Sequence, residues 1–401
     1  KIKSSVSTLR RYRILISGWY GFGNLGDEAI LKSISREIEE QISRVDLRVL
    51  SFDPAFTEKY HGIKAAPQLP SGVKQFISYF FSGKLFKTLN AFIAADVVLI
   101  GGGGFLSDWQ PEAPWKWLRQ ALLARMLRKK IIIYGIGAGP FTRTTGKWIT
   151  KTILNNFVNA ITVRDRQSAE WLKDIGIKEG LITITADPAL NYPVISKAKD
   201  HDYSVPKKIG ISVAPIFHLD RFWPGKKYKY ERYRNALTDI VKGLIREGFE
   251  PIFIPMQEHS DVAFAEDILL KVPEKIEIKK FPTEIDKAVA MLGDVDILIS
   301  MRHHSAILGV LQGIPVAAII YGSKVAEFVD FVGLRKFAEE VGDGSNWQES
   351  DINPERMLAN IKIIAKDYSN IKKELSKKIS ALKKLEKSNI KILKDVIGYQ
   401  S

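Results

Sequence analysis

Short apolar runs recur along the chain. Each ends near a glycine, a serine or a charged residue, and segments with helical spacing lie between them. In the first half the runs are residues 13–17, 47–52, 96–100, 131–135, 160–163 and 182–185. In the second half they are residues 208–213, 251–255, 276–279, 296–300 and 315–320. This alternation is typical of βαβ units and predicts parallel sheets covered by helices.

A polar stretch containing prolines separates the two groups of runs and predicts a linker. We therefore expect an α/β fold made of two Rossmann-like domains that face a cleft, closed by a C-terminal helix. The expected boundaries are 12–190 for the N-terminal domain, 191–207 for the linker, 208–370 for the C-terminal domain and 371–398 for a basic amphipathic helix.

The composition of the 401 residues narrows the classes of function. The chain has no cysteine, which excludes disulfides, iron–sulfur clusters and thiolate zinc sites and favours a reducing cytoplasm. No apolar run approaches the ~20 residues that a membrane-spanning helix needs. The net charge of +15 favours an anionic partner. Because the motifs of nucleic-acid-binding domains are missing, nucleic acid is not the expected partner.

Two segments, residues 115–130 and 371–394, combine basic residues with an apolar stripe at helical spacing. In one interpretation both lie on an anionic membrane surface, which predicts a cytoplasmic protein held peripherally at the inner face of the membrane. In the other, each stripe packs on the protein and leaves its lysines in water. The two interpretations predict opposite exposures for the apolar stripes.

A cluster of cationic residues follows two neighbouring strands of the second domain. Arg302, His303 and His304 come directly after one apolar run, and Lys324 follows the next. Because the carboxyl ends of parallel strands meet at one edge of a sheet, we expect these side chains to lie close together. An arginine fork, an imidazole, a lysine and a helix N-terminus suit a compact polyanion such as a phosphorylated carboxylate.

The first predicted strand is followed by Gly21-Phe22-Gly23-Asn24-Leu25-Gly26, formally a dinucleotide-binding pattern, with Asp53 in the place of the ribose carboxylate. A nicotinamide-dependent oxidoreductase is therefore an alternative. Against it, Asp27 and Glu28 place two carboxylates at the helix N-terminus, where they would repel a pyrophosphate. The two residues either cap the helix or supply an active-site carboxylate, Asp27.

Glycines also follow two later strands. Residues 101–104 precede Asp108, and residues 134–140 contain three further glycines. We expect turns at both places, with backbone amides that approach a ligand closely. Arg164 ends the next strand, where it either contacts the ligand or forms an interdomain salt bridge.

These motifs together resemble the polysaccharide pyruvyl transferase family over most of the chain. The matching residues are 18–31, 101–104 with Asp108, 134–140, 163–165 with Ser168, 186–188, 301–304, and Tyr321 with Lys324. The first block is especially similar to members that pyruvylate a mannosamine-containing, lipid-linked precursor of a cell-wall polymer, which helps to anchor surface-layer proteins.

The resemblance implies a GT-B-like fold, with phosphoenolpyruvate as the donor and a lipid-linked or polymeric sugar as the acceptor. The essential histidine of the family falls on His304, its lysine on Lys324 and its arginine on Arg164. Arg302 joins these three as an expected donor contact. The chemistry requires no cofactor or metal, and the sequence has no cluster with metal-ligand spacing.

Ketal formation needs an acid and a base. We expect His304 either to donate the proton or to bind the phosphate. Asp27 or Asp108, on glycine loops of the opposite domain, is expected to take the proton of a hydroxyl group. The expected loop contacts to the acceptor are Gly23, Asn24, Gly103, Gly104 and Gly137.

Two positions depart from the family pattern, and the first is His303, which occupies a position that is usually apolar. Ala214 stands where many members have an arginine, and His218 or Arg221 is the candidate replacement.

Two further interpretations belong to different classes of protein. A GT-B glycosyltransferase that uses a sugar nucleotide would share the fold. A non-catalytic protein that binds carbohydrate or polyphosphate would not need carboxylates on its glycine loops. Asp27 and Asp108 are present there, which favours an enzyme.

Overall fold

The structure is a computed structural model that describes residues 11–194, 206–219, 223, 225–345 and 347–399. Contacts divide it into two compact units. Unit 1 comprises the described residues up to Phe22, Leu31–Pro188 and those from Glu386 onward. Unit 2 comprises Gly23–Ile30 and the described residues of Ala189–Leu385. Most of the predicted linker, residues 195–205, lies outside the described residues.

Unit 1 contains a parallel sheet of seven strands. The strands are β1 (Tyr12–Ser17), β2 (Val45–Ser51), β3 (Lys64–Pro67), β4 (Val97–Leu106), β5 (Lys130–Ala138), β6 (Ala160–Val163) and β7 (Ile182–Ile184). Their order in the sheet is β3-β2-β1-β4-β5-β6-β7. The central strands are apolar and buried along nearly their whole length, as expected for a sheet with helices on both faces.

Seven helices accompany these strands, and the first of them begins in unit 2. They are α1 (Leu25–Gln41), α2 (Pro54–His61), α3 (Val73–Phe81), α4 (Lys84–Ala94), α5 (Ala113–Met126), α6 (Thr144–Phe157) and α7 (Arg166–Asp174). Short 3-10 helices cover Glu179–Leu181 and Pro188–Asn191.

Unit 2 contains a parallel sheet of six strands. These are β8 (Lys208–Ser212), β9 (Glu250–Phe253), β10 (Glu277–Ile278), β11 (Ile297–Ser300), β12 (Val316–Ile320) and β13 (Glu339–Glu340), in the order β10-β9-β8-β11-β12-β13. The helices are α8 (Lys227–Arg246), α9 (Glu258–Leu269), α10 (Ile285–Leu292), α11 (His303–Leu311), α12 (Ser323–Phe331), α13 (Pro354–Lys366) and α14 (Tyr368–Glu386), with a 3-10 helix at Arg335–Phe337. The predicted α/β class with two Rossmann-like domains is confirmed.

The glycine-rich segments differ from their prediction. Residues 101–104 form no turn, because β4 continues through them to Leu106, and β5 likewise continues to Ala138. A Cβ atom at Gly101 would lie 2.0 Å from the carbonyl oxygen of Tyr134 on the neighbouring strand. Glycine is required there by the close approach of two strands, which the sequence alone does not show.

The predicted C-terminal helix is two helices, α14 and α15 (Ser388–Ile397). Glu386, the last residue of α14, and Asn389, in the first turn of α15, are both buried. The Asn389 side chain donates to the carbonyl of Ala186 at 3.1 Å and accepts from the hydroxyl of Thr185 at 3.0 Å. These bonds attach the last helix to unit 1, whereas α14 up to Leu385 belongs to unit 2.

The two basic segments bury their apolar stripes. In α5 the buried residues include Trp117, Leu118, Ala121 and Ala124. In α14, Ile371, Leu375 and Leu382 are buried. Most of each stripe therefore packs on the protein, as the second interpretation expects, although Trp115 and Met126 of α5 remain exposed. No helix among the described residues is both long and apolar enough to cross a bilayer.

Candidate active site

The cationic cluster of unit 2 lies at the N-termini of two neighbouring helices. Strands β11 and β12 pair in parallel, so α11 and α12, which follow them, begin at the same edge of the sheet. His304 lies in the first turn of α11, and Lys324 in the first turn of α12. Helix N-termini carry partial positive charge and unpaired amides, so this edge favours an anion.

Lys324 is half-buried, and its ammonium nitrogen lies 5.4 Å from the centre of the Tyr321 ring. The residues that the structure describes provide no carboxylate within ion-pair distance of it. A cation held over an aromatic face and not neutralised by a carboxylate remains available to an anionic ligand.

Arg302 has a different environment. Its guanidinium forms an ion pair with Asp261, to which Nε donates at 3.1 Å, and it also donates to the side chain of Gln257 at 3.2 Å. Burial acts to lower the pKa of Arg302, but the Asp261 carboxylate outweighs it and holds that pKa above its usual value. The guanidinium of Arg302 therefore forms its hydrogen bonds with side chains of the protein itself.

The Arg302 contacts reach the first glycine loop. The Asp261 carboxylate accepts from the amides of Met256 and Gln257, both at 3.1 Å. Gln257 in turn forms an isolated antiparallel bridge with Asn24, and the amide of Leu25 donates to the carbonyl of Met256 at 3.3 Å. The sequence-based boundary assigns residues 23–30 to the N-terminal domain, but these contacts place Gly23–Ile30 in unit 2.

Asn24 also caps the N-terminus of α1, because its side chain accepts a hydrogen bond from the amide of Gly26 at 3.0 Å. Capping was expected of Asp27 and Glu28, and this bond assigns part of it to Asn24. Asp27 follows in the first turn and is almost fully buried in the same unit as His304. The expectation that Asp27 lies on the domain opposite His304 is therefore wrong.

Gly26 packs directly against His304. A Cβ atom at position 26 would lie 2.2 Å from Nδ1 of that imidazole, and two more ring or Cβ atoms lie within 3 Å. No side chain fits between them, so the glycine fixes how closely α1 approaches the histidine. His303, beside it, is buried with its ring centre 5.7 Å from that of Phe328.

We expect Gly26→Ala to lower turnover by about a hundredfold, because the added methyl group must displace the His304 ring, which is the expected proton donor or phosphate ligand. Alanine favours the helical conformation, so α1 itself should persist. The matched control is Gly180→Ala, where the backbone has no positive φ and nothing lies within 4 Å. The measurement is the turnover number of each folded variant. Equal turnover of Gly26→Ala and Gly180→Ala would show that the close packing of Gly26 on His304 does not matter for activity.

Arg164 lies in unit 1 and is deeply buried. Its guanidinium donates to Asp187 at 2.6 Å, and Nε lies 3.7 Å from an oxygen of Asp165. Both carboxylates belong to unit 1, so these ion pairs lie within a unit and not between units. A Cβ atom at Gly104 or Gly137 would lie 2.9 Å from its terminal nitrogen. Both glycines thus make room for this arginine.

Asp108, also in unit 1, has both oxygens occupied. One oxygen accepts from the amide of Thr142 at 2.8 Å, and the other from the amide of Arg143 at 2.6 Å. The side chain is only 1% exposed, and a Cβ atom at Gly146 in α6 would lie 2.8 Å from it. Asp108 thus organises the loop that leads into α6.

The remaining candidates are more dispersed. Gly23 is exposed, with a positive φ of 77° that favours glycine, and Gly103 lies buried within β4. Ala214 follows β8, and its carbonyl accepts from the Tyr233 hydroxyl at 3.0 Å. His218 is exposed and packs against Tyr230, whereas Arg221 lies outside the described residues.

Sequence reasoning missed Asp261 and Gln257, the partners of Arg302. The available signal was their position, since Gln257 closely follows β9 and Asp261 lies in the first turn of α9 at the same edge of the sheet. Neither residue belongs to a glycine-rich or cationic motif, so composition did not reveal them.

Comparison with solved structures agrees with this architecture. A glycosyltransferase from Rickettsia africae has a TM-score of 0.61 at 14% identity, covering 98% of this chain and 100% of that one. HepE of Anabaena, in complex with UDP and glucose, has a TM-score of 0.60 at 12% identity, covering 97% and 100%. UDP-GlcNAc 2-epimerase from Methanocaldococcus jannaschii gives 0.55 at 13%, covering 89% and 93%. At these identities the likeness concerns the fold alone, which is GT-B-like.

Sequence comparison is more specific. The amylovoran biosynthesis protein AmsJ of Erwinia amylovora is 21% identical over 415 residues, which cover 92% of this chain and 95% of that protein. The family model described as polysaccharide pyruvyl transferase matches residues 24–323, a range that begins at the loop beside His304 and ends at the start of α12. The chain therefore belongs to the polysaccharide pyruvyl transferase family.

Proposed function

We propose that the protein transfers pyruvate from phosphoenolpyruvate to two hydroxyl groups of a cell-surface polysaccharide sugar, forming a cyclic ketal. The observation that carries the proposal is that His304 and Lys324 lie at the N-termini of two neighbouring helices. Phosphoenolpyruvate carries about three negative charges on few atoms, and cationic groups at helix N-termini suit such a ligand.

The reaction consumes one phosphoenolpyruvate and two hydroxyl groups. The first hydroxyl adds to C2 of the donor while a proton adds to the C3 methylene, which becomes a methyl group. The second hydroxyl then attacks C2 and expels the phosphate, and its proton leaves with that phosphate. The products are the ketal and inorganic phosphate, so the balance needs no further cofactor.

We assign the acid and base to unit 2. His304 supplies the proton to C3, and Asp27, in the segment that packs on His304, accepts the proton of the attacking hydroxyl. Lys324 and the amides of the two helix N-termini hold the phosphate and carboxylate. Arg302 acts as a positioning residue, because its contacts with Asp261 and Gln257 hold the glycine loop beside His304.

The two unit 1 candidates have weaker support for a chemical role. Arg164 is paired with Asp187, and the oxygens of Asp108 are occupied by backbone amides. We assign the lipid-linked form of the acceptor from the similarity of residues 18–31 to members that act on lipid-linked precursors.

Phosphoenolpyruvate is expected to stabilise the protein against thermal unfolding by about 2–3 kcal/mol at a hundredfold excess over its dissociation constant. NAD and UDP-sugars should give no shift, and Lys324→Ala should reduce the shift with phosphoenolpyruvate. A shift with a UDP-sugar and none with phosphoenolpyruvate would instead identify a sugar-nucleotide glycosyltransferase. Mass spectrometry of candidate lipid-diphosphate sugars incubated with the donor then tests for the pyruvyl adduct.

A further inference from the structure

Helix α3 has an apolar face that the described residues leave exposed. Val73, Phe76, Ile77 and Phe80 have the i, i+3, i+4, i+7 spacing that usually faces a core. Yet the helix contains no buried residue, and together with Phe81 these side chains are between 48% and 82% exposed. An amphipathic helix directed outward in this way requires a partner for its apolar face.

Helix α4 extends the same surface. Its inner face is fixed to the unit by buried Leu85, Ala91 and Phe92, whereas Phe86 and Ile93 are each 55% exposed. The Phe86 ring lies 5.9 Å from that of Phe80, centre to centre, so the exposed side chains of the two helices are continuous. We call the exposed apolar residues of α3 and α4 the α3–α4 face.

The segment that forms this face carries charge of one sign. Residues 59–95 contain five lysines and no aspartate or glutamate. Three of the lysines, Lys74, Lys84 and Lys87, lie on the two helices and are exposed. A second copy docked on this face would bring the same lysines together and repel them, because a two-fold interface pairs a surface with itself. Anionic lipid headgroups supply the opposite charge.

We propose that the α3–α4 face docks on an anionic phospholipid membrane, with its aromatic and aliphatic side chains at the boundary between headgroups and acyl chains. The lysines then contact the phosphates of the headgroups, as in other interfacial helices. The surface is separate from α5 and α14, whose apolar stripes are mostly buried.

The position of α3 places the proposed docking surface near the first glycine loop. The helix follows β3 at the edge of the sheet where Gln68 donates to the side chain of Ser17 at 3.1 Å and to the carbonyl of Gly18 at 3.3 Å. The first glycine loop starts from the same edge. A membrane beneath α3 would bring lipid-linked sugars to this edge, a step that rests on the proposed function, whereas the docking itself does not.

Sedimentation with vesicles of phosphatidylcholine, with and without phosphatidylglycerol, tests the proposal. Wild-type protein should bind the anionic vesicles preferentially and lose that binding in high salt. Phe80→Glu/Phe81→Glu should weaken binding by at least about tenfold, because it places charge at the membrane interface. The matched control is Trp148→Glu, on α6 of the same unit and 66% exposed, which should bind normally.

A second pair of variants tests the charges. Lys74→Gln/Lys84→Gln/Lys87→Gln should weaken binding by roughly a hundredfold, from about fivefold per lysine near the surface. Lys373→Gln/Lys378→Gln/Lys384→Gln removes as much charge from α14 and should have little effect. Equal loss in both triple variants, or equal binding of wild type to neutral and anionic vesicles, would overturn the proposal. So would a dimer that Phe80→Glu/Phe81→Glu dissociates, since a second copy would then cover the face.

The readout needs no catalysis, so it stands apart from the proposed activity. Thermal stabilisation by phosphoenolpyruvate should be the same in the docking variants as in wild type, which also shows that they are folded. If the protein binds vesicles but not phosphoenolpyruvate, the docking proposal is supported and the proposed donor is wrong.

Discussion

Replacing His304 with alanine is expected to lower turnover by about a hundredfold or more, because C3 of the donor then lacks its positioned acid. The fold should tolerate the change, since the imidazole is only half-buried at the start of α11. The value of kcat measured from phosphate release at saturating phosphoenolpyruvate tests the role directly. A variant with normal kcat and a raised KM would show that His304 binds phosphate and transfers no proton.

Lys324→Ala is the matched comparison. Lys324 lies at the start of the neighbouring helix and contributes charge without an assigned proton transfer. Its loss should raise the KM for phosphoenolpyruvate by roughly tenfold to a hundredfold, the effect of one hydrogen bond to a charged group. His304→Ala thus tests proton donation, and Lys324→Ala tests binding of the anionic donor, although both residues lie at the same edge of the sheet.

Asp27→Asn and Asp108→Asn are expected to fail in different ways. Asp27→Asn should lower kcat by about a hundredfold or more while leaving the affinity for phosphoenolpyruvate intact, because the base is lost and the cations remain. Asp108→Asn should leave the kcat of folded protein near wild type. It should lower the free energy of unfolding by about 1.5–3 kcal/mol, because its bonds to the amides of Thr142 and Arg143 lose their charge.

We would measure the free energy of unfolding in urea and the steady-state kcat on the same preparations of Asp27→Asn and Asp108→Asn. If Asp108→Asn loses turnover and keeps its stability, the base lies in unit 1 and the assignment to Asp27 is wrong. If both variants keep normal rates, neither carboxylate is the base.

The strands were readable from the sequence because a buried parallel strand is a nearly continuous apolar run. β3 and β13 lack such runs, since Lys64–Pro67 holds two alanines and Glu339–Glu340 holds no apolar residue. Membership of the family was also accessible, because its motifs lie in order along one chain. The strands and the family motifs could both be recognised because each consists of residues that are adjacent in the sequence.

The roles of the glycines and carboxylates were not accessible in the same way. Asp27 and Asp108 both follow glycine-rich segments, so their local sequences carry the same signal. Only the folded chain shows that Asp108 is bound by Thr142 and Arg143. Likewise, Gly26 faces an imidazole from a residue 278 positions later (304 − 26), a contact that no local pattern encodes.

The chain passes between the two units four times, after Phe22, Ile30, Pro188 and Leu385. Evolution by recombination is therefore constrained in this protein. A single crossover near residue 189 would join one parent's Gly26 to the other parent's His304, two positions that leave no room for an extra methyl group. A hybrid would also take its last helix, which carries Asn389, from the parent that did not supply Thr185. Homologues that exchange whole halves must therefore be compatible at positions 26 and 389.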